Sequence, residues 1–240
     1  MSSIGAILSK IPTSSRRVPR VEDLEGFRDA QRLAYDAALA TAAAMREGWT
    51  ERQAAAHMET YLRDRGVKAF FHKPLAWFGD RSRFHRFRTY GYFFPTERAL
   101  RPDDVVILDV APVVGGYAGD IGYTCSLTEQ PRLRKAENFL REIRAEIPRL
   151  FADPKLSPSD IWAAVDRRVV EAGYQNCHAK YPFRVLGHRL YRIPFEGLPG
   201  LLFPFTLHTY GAFLGHGLFP ELLGPRHAGA KTGIWAVEPH

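Results

Sequence analysis

The chain has 240 residues, 45% of them apolar and 25% charged, an ordinary balance for a globular protein long enough to bury one large or two small cores. No run of eighteen or more uncharged apolar residues occurs, which excludes a membrane-spanning helix, and two cysteines outside any C-x-x-C pattern exclude a disulfide framework. The formal net charge of +7 permits contact with nucleic acid or an acidic surface without establishing it.

Residues 1–22 read as a mobile arm: the apolar stretch near Ile7 is too short for a secretory signal, and a polar, basic stretch with Arg16 and Arg17 follows. Cys125 and Cys177, too few for a disulfide framework, are expected as packed thiols in a reducing cytoplasm. Helical spacing of Leu24, Phe27, Leu33, Leu39 and Met45 among many alanines predicts a long helix over 24–46. Thr50 and Gln53 form a capping box for a second helix that Gly66 ends. The same order returns later, with a long helix over 132–151 and then Ser157 as cap with Pro158 in the first helical position of a helix ending at Gly173. The short helices, counted from cap to stop, have equal spans, 16 residues from Thr50 to Gly66 and 16 from Ser157 to Gly173. Strands are predicted over 67–78, 90–94, 105–114, 117–127, 183–190, 206–213 and 233–238, and a proline- and glycine-rich loop over 194–204. This is an α+β plan with two similar halves around one sheet.

Two aspartates carry the chemistry. Asp109 stands in the run Val105-Val106-Ile107-Leu108-Asp109-Val110, and Asp120 in Gly116-Tyr117-Ala118-Gly119-Asp120. A carboxylate inside a buried strand is costly unless a cation or hydrogen-bond donors meet it. A two-residue turn at Gly115-Gly116 sets Val114 opposite Tyr117, hence Ala111 opposite Asp120 and Asp109 opposite Gly122. Both aspartates then share one face as diagonal neighbours, about 7–8 Å apart at the backbone and able to converge on metal ions. Pro112 cannot donate to the ladder and marks an edge or bulge. Downstream, His188, His216 and Glu238 are candidate partners, an oxygen-rich set with an imidazole that suits Mn, Co, Fe or Zn better than a thiolate zinc site. The opposing reading is two carboxylates satisfied by arginine, tyrosine or backbone amides.

These residues resemble the methionine aminopeptidase, prolidase and creatinase superfamily, the pita-bread proteins, with the closest likeness to Xaa-Pro peptidases. The stretch from Leu100 to Asp109, the segment Gly116 to Asp120 and the pair Glu238-Pro239 carry the likeness, which runs from about Leu24 to the end. The resemblance implies a pita-bread fold over residues 23–240 as a single catalytic-type domain, truncated at its C-terminus because the family's last bridging glutamate would follow Glu238. It implies that Asp109 chelates one of two divalent metal ions, Asp120 bridges both and Glu238 holds the second. His188 is preferred over His216 as the imidazole ligand, with His216 or His208 then on the substrate side. His85 resembles the family histidine that donates a hydrogen bond to the tetrahedral intermediate, while Phe195-Glu196 stands where a second active-site histidine is usual.

The function implied is a metal-dependent aminopeptidase or Xaa-Pro peptidase, in which a metal-activated hydroxide attacks a small peptide substrate. Neither a membrane nor nucleic acid is the expected partner, and a homodimer is compatible with the sequence. A second reading stays open: a pita-bread module that binds peptide, protein or nucleic acid without catalysis. The cluster Arg81, Arg83, His85, Arg86 and Arg88, interleaved with Phe84 and Phe87, favours it.

Overall fold

The computed structural model describes residues 21–84, 90–181, 184–190, 192, 222–227 and 229–240. These fall into two compact units, one spanning residues 21–130 with Arg192, the other drawn from 131–190 and 222–240. The predicted arm up to residue 20, the loop over 194–204 and the strand over 206–213 lie outside the described residues, as do His85, Arg86, Arg88, His208 and His216.

In the first unit, a short 3-10 turn at Val21–Asp23 leads into α1 (Leu24–Ala44). Its inward face is nearly all small: Ala30, Ala34, Ala37, Ala38 and Thr41 are fully buried at helical spacing. Small side chains let the helix axis lie close on the sheet. The capping box forms as the sequence requires, with the Gln53 amide 3.2 Å from the Thr50 hydroxyl and the Thr50 amide 2.7 Å from the Gln53 side chain. It starts α2 (Glu51–Arg63), and Gly66 stands beyond it at φ +84°.

Four antiparallel strands follow: β1 (Ala69–Phe78), β2 (Val105–Val114), β3 (Tyr117–Ala118) and β4 (Ile121–Ser126), with β2 central. Gly115 and Gly116 both take positive φ, +56° and +84°, as a tight hairpin turn demands, and Val114 faces Tyr117. Val106, Leu108 and Val110 of β2 meet Ala34, Leu62 and Phe78 in one apolar cluster. Full burial of each large side chain contributes about 1.5–3 kcal/mol before entropy is counted.

Two predicted strands change form. Residues 90–94 make a 3-10 turn, Tyr90–Phe93, because side chains claim its carbonyls: Trp77 Nε1 donates to Phe93 at 3.0 Å, and Arg81 to Tyr92 and Phe94 at 2.9 Å each. The strand over 117–127 is interrupted at Gly119 and Asp120, which leave the ladder between β3 and β4.

The second unit repeats the order. Helix α3 (Pro131–Ala152) precedes α4 (Pro158–Glu171), which starts from the Ser157 and Asp160 capping box with Pro158 in its first turn. Gly173 again follows at φ +79°. Strands β5 (Gly187–Leu190), β6 (Leu222–Leu223) and β7 (Ile234–Val237) form an antiparallel ladder with β5 central. The predicted strand over 183–190 is thus shorter at its start. Ile143, Trp162, Val165, Leu186 and Leu223 make this unit's core.

Candidate metal centre

The register counted from the glycine turn is the one observed. Asp109 faces Gly122 across β2 and β4, and continuing that ladder sets Asp120 opposite Ala111. The two carboxylates share a face, and Asp120 is buried with 1% of its side chain exposed against 19% for Asp109. Although Asp120 stands outside the ladder, its backbone is held. Gln31 of α1 donates from Nε2 to the Asp120 carbonyl at 2.8 Å and accepts from the Asp120 amide at 3.0 Å. One side-chain amide thereby does the work of a neighbouring strand. Gly119 makes this possible, since a Cβ there would stand 2.5 Å from the Ala30 backbone.

A third donor completes the cluster, and it was not foreseen. His72 of β1 faces Ala111 on β2, and its Nε2 lies 3.3 Å from Asp109 Oδ1 and 3.3 Å from Asp120 Oδ1. Ala111 stands between the imidazole and Asp120 and is small enough to let them meet. The β1 register shifts on both sides of His72, between Phe70 and His72 and again between His72 and Leu75. Such bulges re-aim a strand side chain. The first lies beside Pro112, which faces Phe70 and has no N–H to give. Burial alone would lower the basicity of His72, but the charges and hydrogen bonds of Asp109 and Asp120 outweigh it and raise its pKa well above the usual imidazole range. In the sequence, a single histidine in the run Ala69-Phe70-Phe71-His72 reads as core, and the paired bulges leave no mark there.

In the second unit, His188 on β5 faces Ala236 on β7. Glu238, two residues beyond Ala236, has its amide on the Leu186 carbonyl at 2.8 Å, so it lies diagonal to His188 on the same face. A ligand atom of each lies within 4.8 Å of the other. Gly187 is required at this point because a Cβ would run into the Ala236 carbonyl. Of the predicted site residues, then, Asp109 and Asp120 come together in one unit and His188 and Glu238 in the other.

A buried set of carboxylate oxygens and an imidazole nitrogen converging within a few ångströms fits a borderline divalent cation such as Mn, Co, Fe or Zn. The basic cluster is less available than its sequence suggests. Arg81 is spent on the buried Glu51 at 2.9 Å and on backbone carbonyls, while Arg83 stays exposed, 3.9 Å from Asp80.

A helix–helix–sheet plan occurring twice, with acidic and histidine side chains on strand faces, defines a pita-bread protein of the metallopeptidase type. The chain belongs to metallopeptidase family M24, which residues 25–226 match. It is 27% identical over 191 residues to an uncharacterized peptidase of Staphylococcus saprophyticus, covering 79% of this chain and 51% of that protein. The fold is similar to that of an X-Pro aminopeptidase from Thermotoga maritima (TM-score 0.68, 17% identity, 94% of this chain and 55% of the other). It is also similar to a prolidase from Pyrococcus furiosus (TM-score 0.65, 18% identity, 94% and 58%). The chain therefore spans little more than half the length of the relatives it matches. Among the described residues, no helix is long and apolar enough to cross a membrane.

Proposed function

We propose that this chain carries the catalytic-type core of a metal-dependent peptidase of the Xaa-Pro peptidase or aminopeptidase kind, acting on small peptides. The observation that carries the reading is the pair Asp109 on β2 and Asp120 in the break between β3 and β4, on one face of the sheet with His72 Nε2 3.3 Å from each. Family membership and the His188–Glu238 pair support it. In this reading Asp109, Asp120, His188 and Glu238 would hold the divalent metal. Bound metals supply Lewis-acid polarisation of the scissile carbonyl and make water acidic enough to attack near neutral pH. His85 and His216 take the substrate side, where an N–H aimed at the carbonyl oxygen stabilises the charge that develops on it. Gln31 fixes the direction of Asp120 through its backbone. Cys125 and Cys177 are not joined in a disulfide, in keeping with a cytoplasmic setting.

The test is hydrolysis of Xaa-Pro and Met-Xaa dipeptides by the full chain with Mn or Co added. Turnover that Asp109→Asn and Asp120→Asn each cut by at least about a hundredfold is expected. Stoichiometric metal uptake without hydrolysis of either class would leave the non-catalytic binding module as the better account.

A further inference from the structure

We propose that His72 is itself a metal ligand, so that the first unit supplies an Asp–Asp–His set to the cation; this rests on the metal-centre reading above. Three features of the geometry argue for it. The first is spacing: His72 Nε2 stands 3.3 Å from an oxygen of Asp109 and from an oxygen of Asp120. Two ligands on a tetrahedral ion with bonds of about 2.1 Å stand about 3.4 Å apart. A charge-assisted hydrogen bond is shorter, about 2.7–2.9 Å, and here a single N–H is shared between two carboxylates.

The second feature is the other ring nitrogen. His72 Nδ1 lies 2.9 Å from the Lys73 carbonyl, which can only accept, so Nδ1 carries a hydrogen. An outer hydrogen bond from Nδ1–H to a backbone carbonyl is what orients most metal-bound histidines.

The third feature is internal repetition. His188 makes the same bond, Nδ1 to the carbonyl of the next residue, Arg189, at 3.3 Å. Each histidine sits on the strand that follows a short capped helix, each faces an alanine (Ala111 or Ala236), and an acidic residue stands two places from that alanine. The histidine already assigned to the metal by resemblance thus has a counterpart in the other unit, in the same local setting.

The experiment uses the full chain, stripped with chelator and titrated with Co(II) or Zn(II). His72→Gln is expected to weaken Co(II) binding about tenfold or more and to change the visible d–d spectrum. X-ray absorption of the Zn(II) form of His188→Gln, which does not require the His72 variant to fold, should retain an imidazole shell. Loss of all imidazole scattering in His188→Gln, or an unchanged affinity and spectrum in His72→Gln while Asp109→Asn abolishes binding, would overturn the His72 assignment and leave the metal centre standing. Failure of the unaltered chain to bind metal would overturn both.

Discussion

Single buried side chains decide much of the protein's behaviour with pH. His178 is fully buried, and its Nε2 accepts from Asn176 Nδ2 at 2.6 Å, which also donates to Asp166. Burial, and after it the positive charges of His240 and Arg184, push its pKa down to about 3. The unfolded chain takes up this proton below about pH 6.5, while the folded chain does not until near pH 3, so acidification favours unfolding across that window. Between pH 7 and pH 5 the contribution is on the order of 2 kcal/mol, from about 1.4 kcal/mol per pH unit. Because the raised pKa of His72 works in the opposite direction, the contrast lies between chains: in urea unfolding at both pH values, acidification should cost the unaltered chain about that much more than His178→Asn, and an equal change in both would exclude His178 as a cause. At this scale the aspartates were legible, because a two-residue glycine turn fixes register and alternation then fixes the face. His72 was not, since its aim depends on two bulges, and neither was Gln31, whose role comes from a contact 89 residues away.

At the scale of elements, helix starts and stops were read closely: the Thr50 capping box, the Ser157 cap with Pro158, both glycine stops and the long helices lie within a residue or two of expectation. Local hydrogen bonds fix these features, so local sequence reveals them. The segment over 90–94 was misread because its carbonyls answer to Trp77 and Arg81, which no local pattern announces. How closely α1 lies on the sheet is likewise tertiary. Gly119 leaves no room for a Cβ against the Ala30 backbone, whereas a Cβ at Gly122 would meet nothing within 4 Å. Gly119→Ala should therefore destabilise the protein by about 2 kcal/mol or more, and Gly122→Ala should stay within about 0.5 kcal/mol. Equal midpoints in a denaturant titration of the two variants would refute the close approach.

For the molecule as a whole, the repeated helix–helix–sheet order was visible as two equal spans between cap and glycine, while the likeness to the peptidase family lay in the aspartate hairpin, inside the matched residues 25–226, and in Glu238-Pro239 beyond them. The long-range ties were hidden. Glu51 is fully buried and accepts from the Phe78 amide at 2.9 Å, Arg81 Nε at 2.9 Å and the Thr96 amide and hydroxyl at 2.9 and 2.6 Å. One carboxylate thus joins the start of α2, the end of β1 and a segment 45 residues further on. Removing one partner of a buried, hydrogen-bonded ion pair typically costs about 3–5 kcal/mol. Glu51→Ala should lose that much in equilibrium unfolding, and a loss under about 1 kcal/mol would mean that the network contributes little.

The grip of Gln31 on both main-chain groups of Asp120 has a further consequence. The fold itself places the Asp120 carboxylate, so folding has already removed the entropy that a floppy receptor would lose on meeting a ligand. In the proposed centre, affinity at this position would then be governed by the helix as much as by the carboxylate, and adjusting the long helix would retune it without altering any of the proposed ligands.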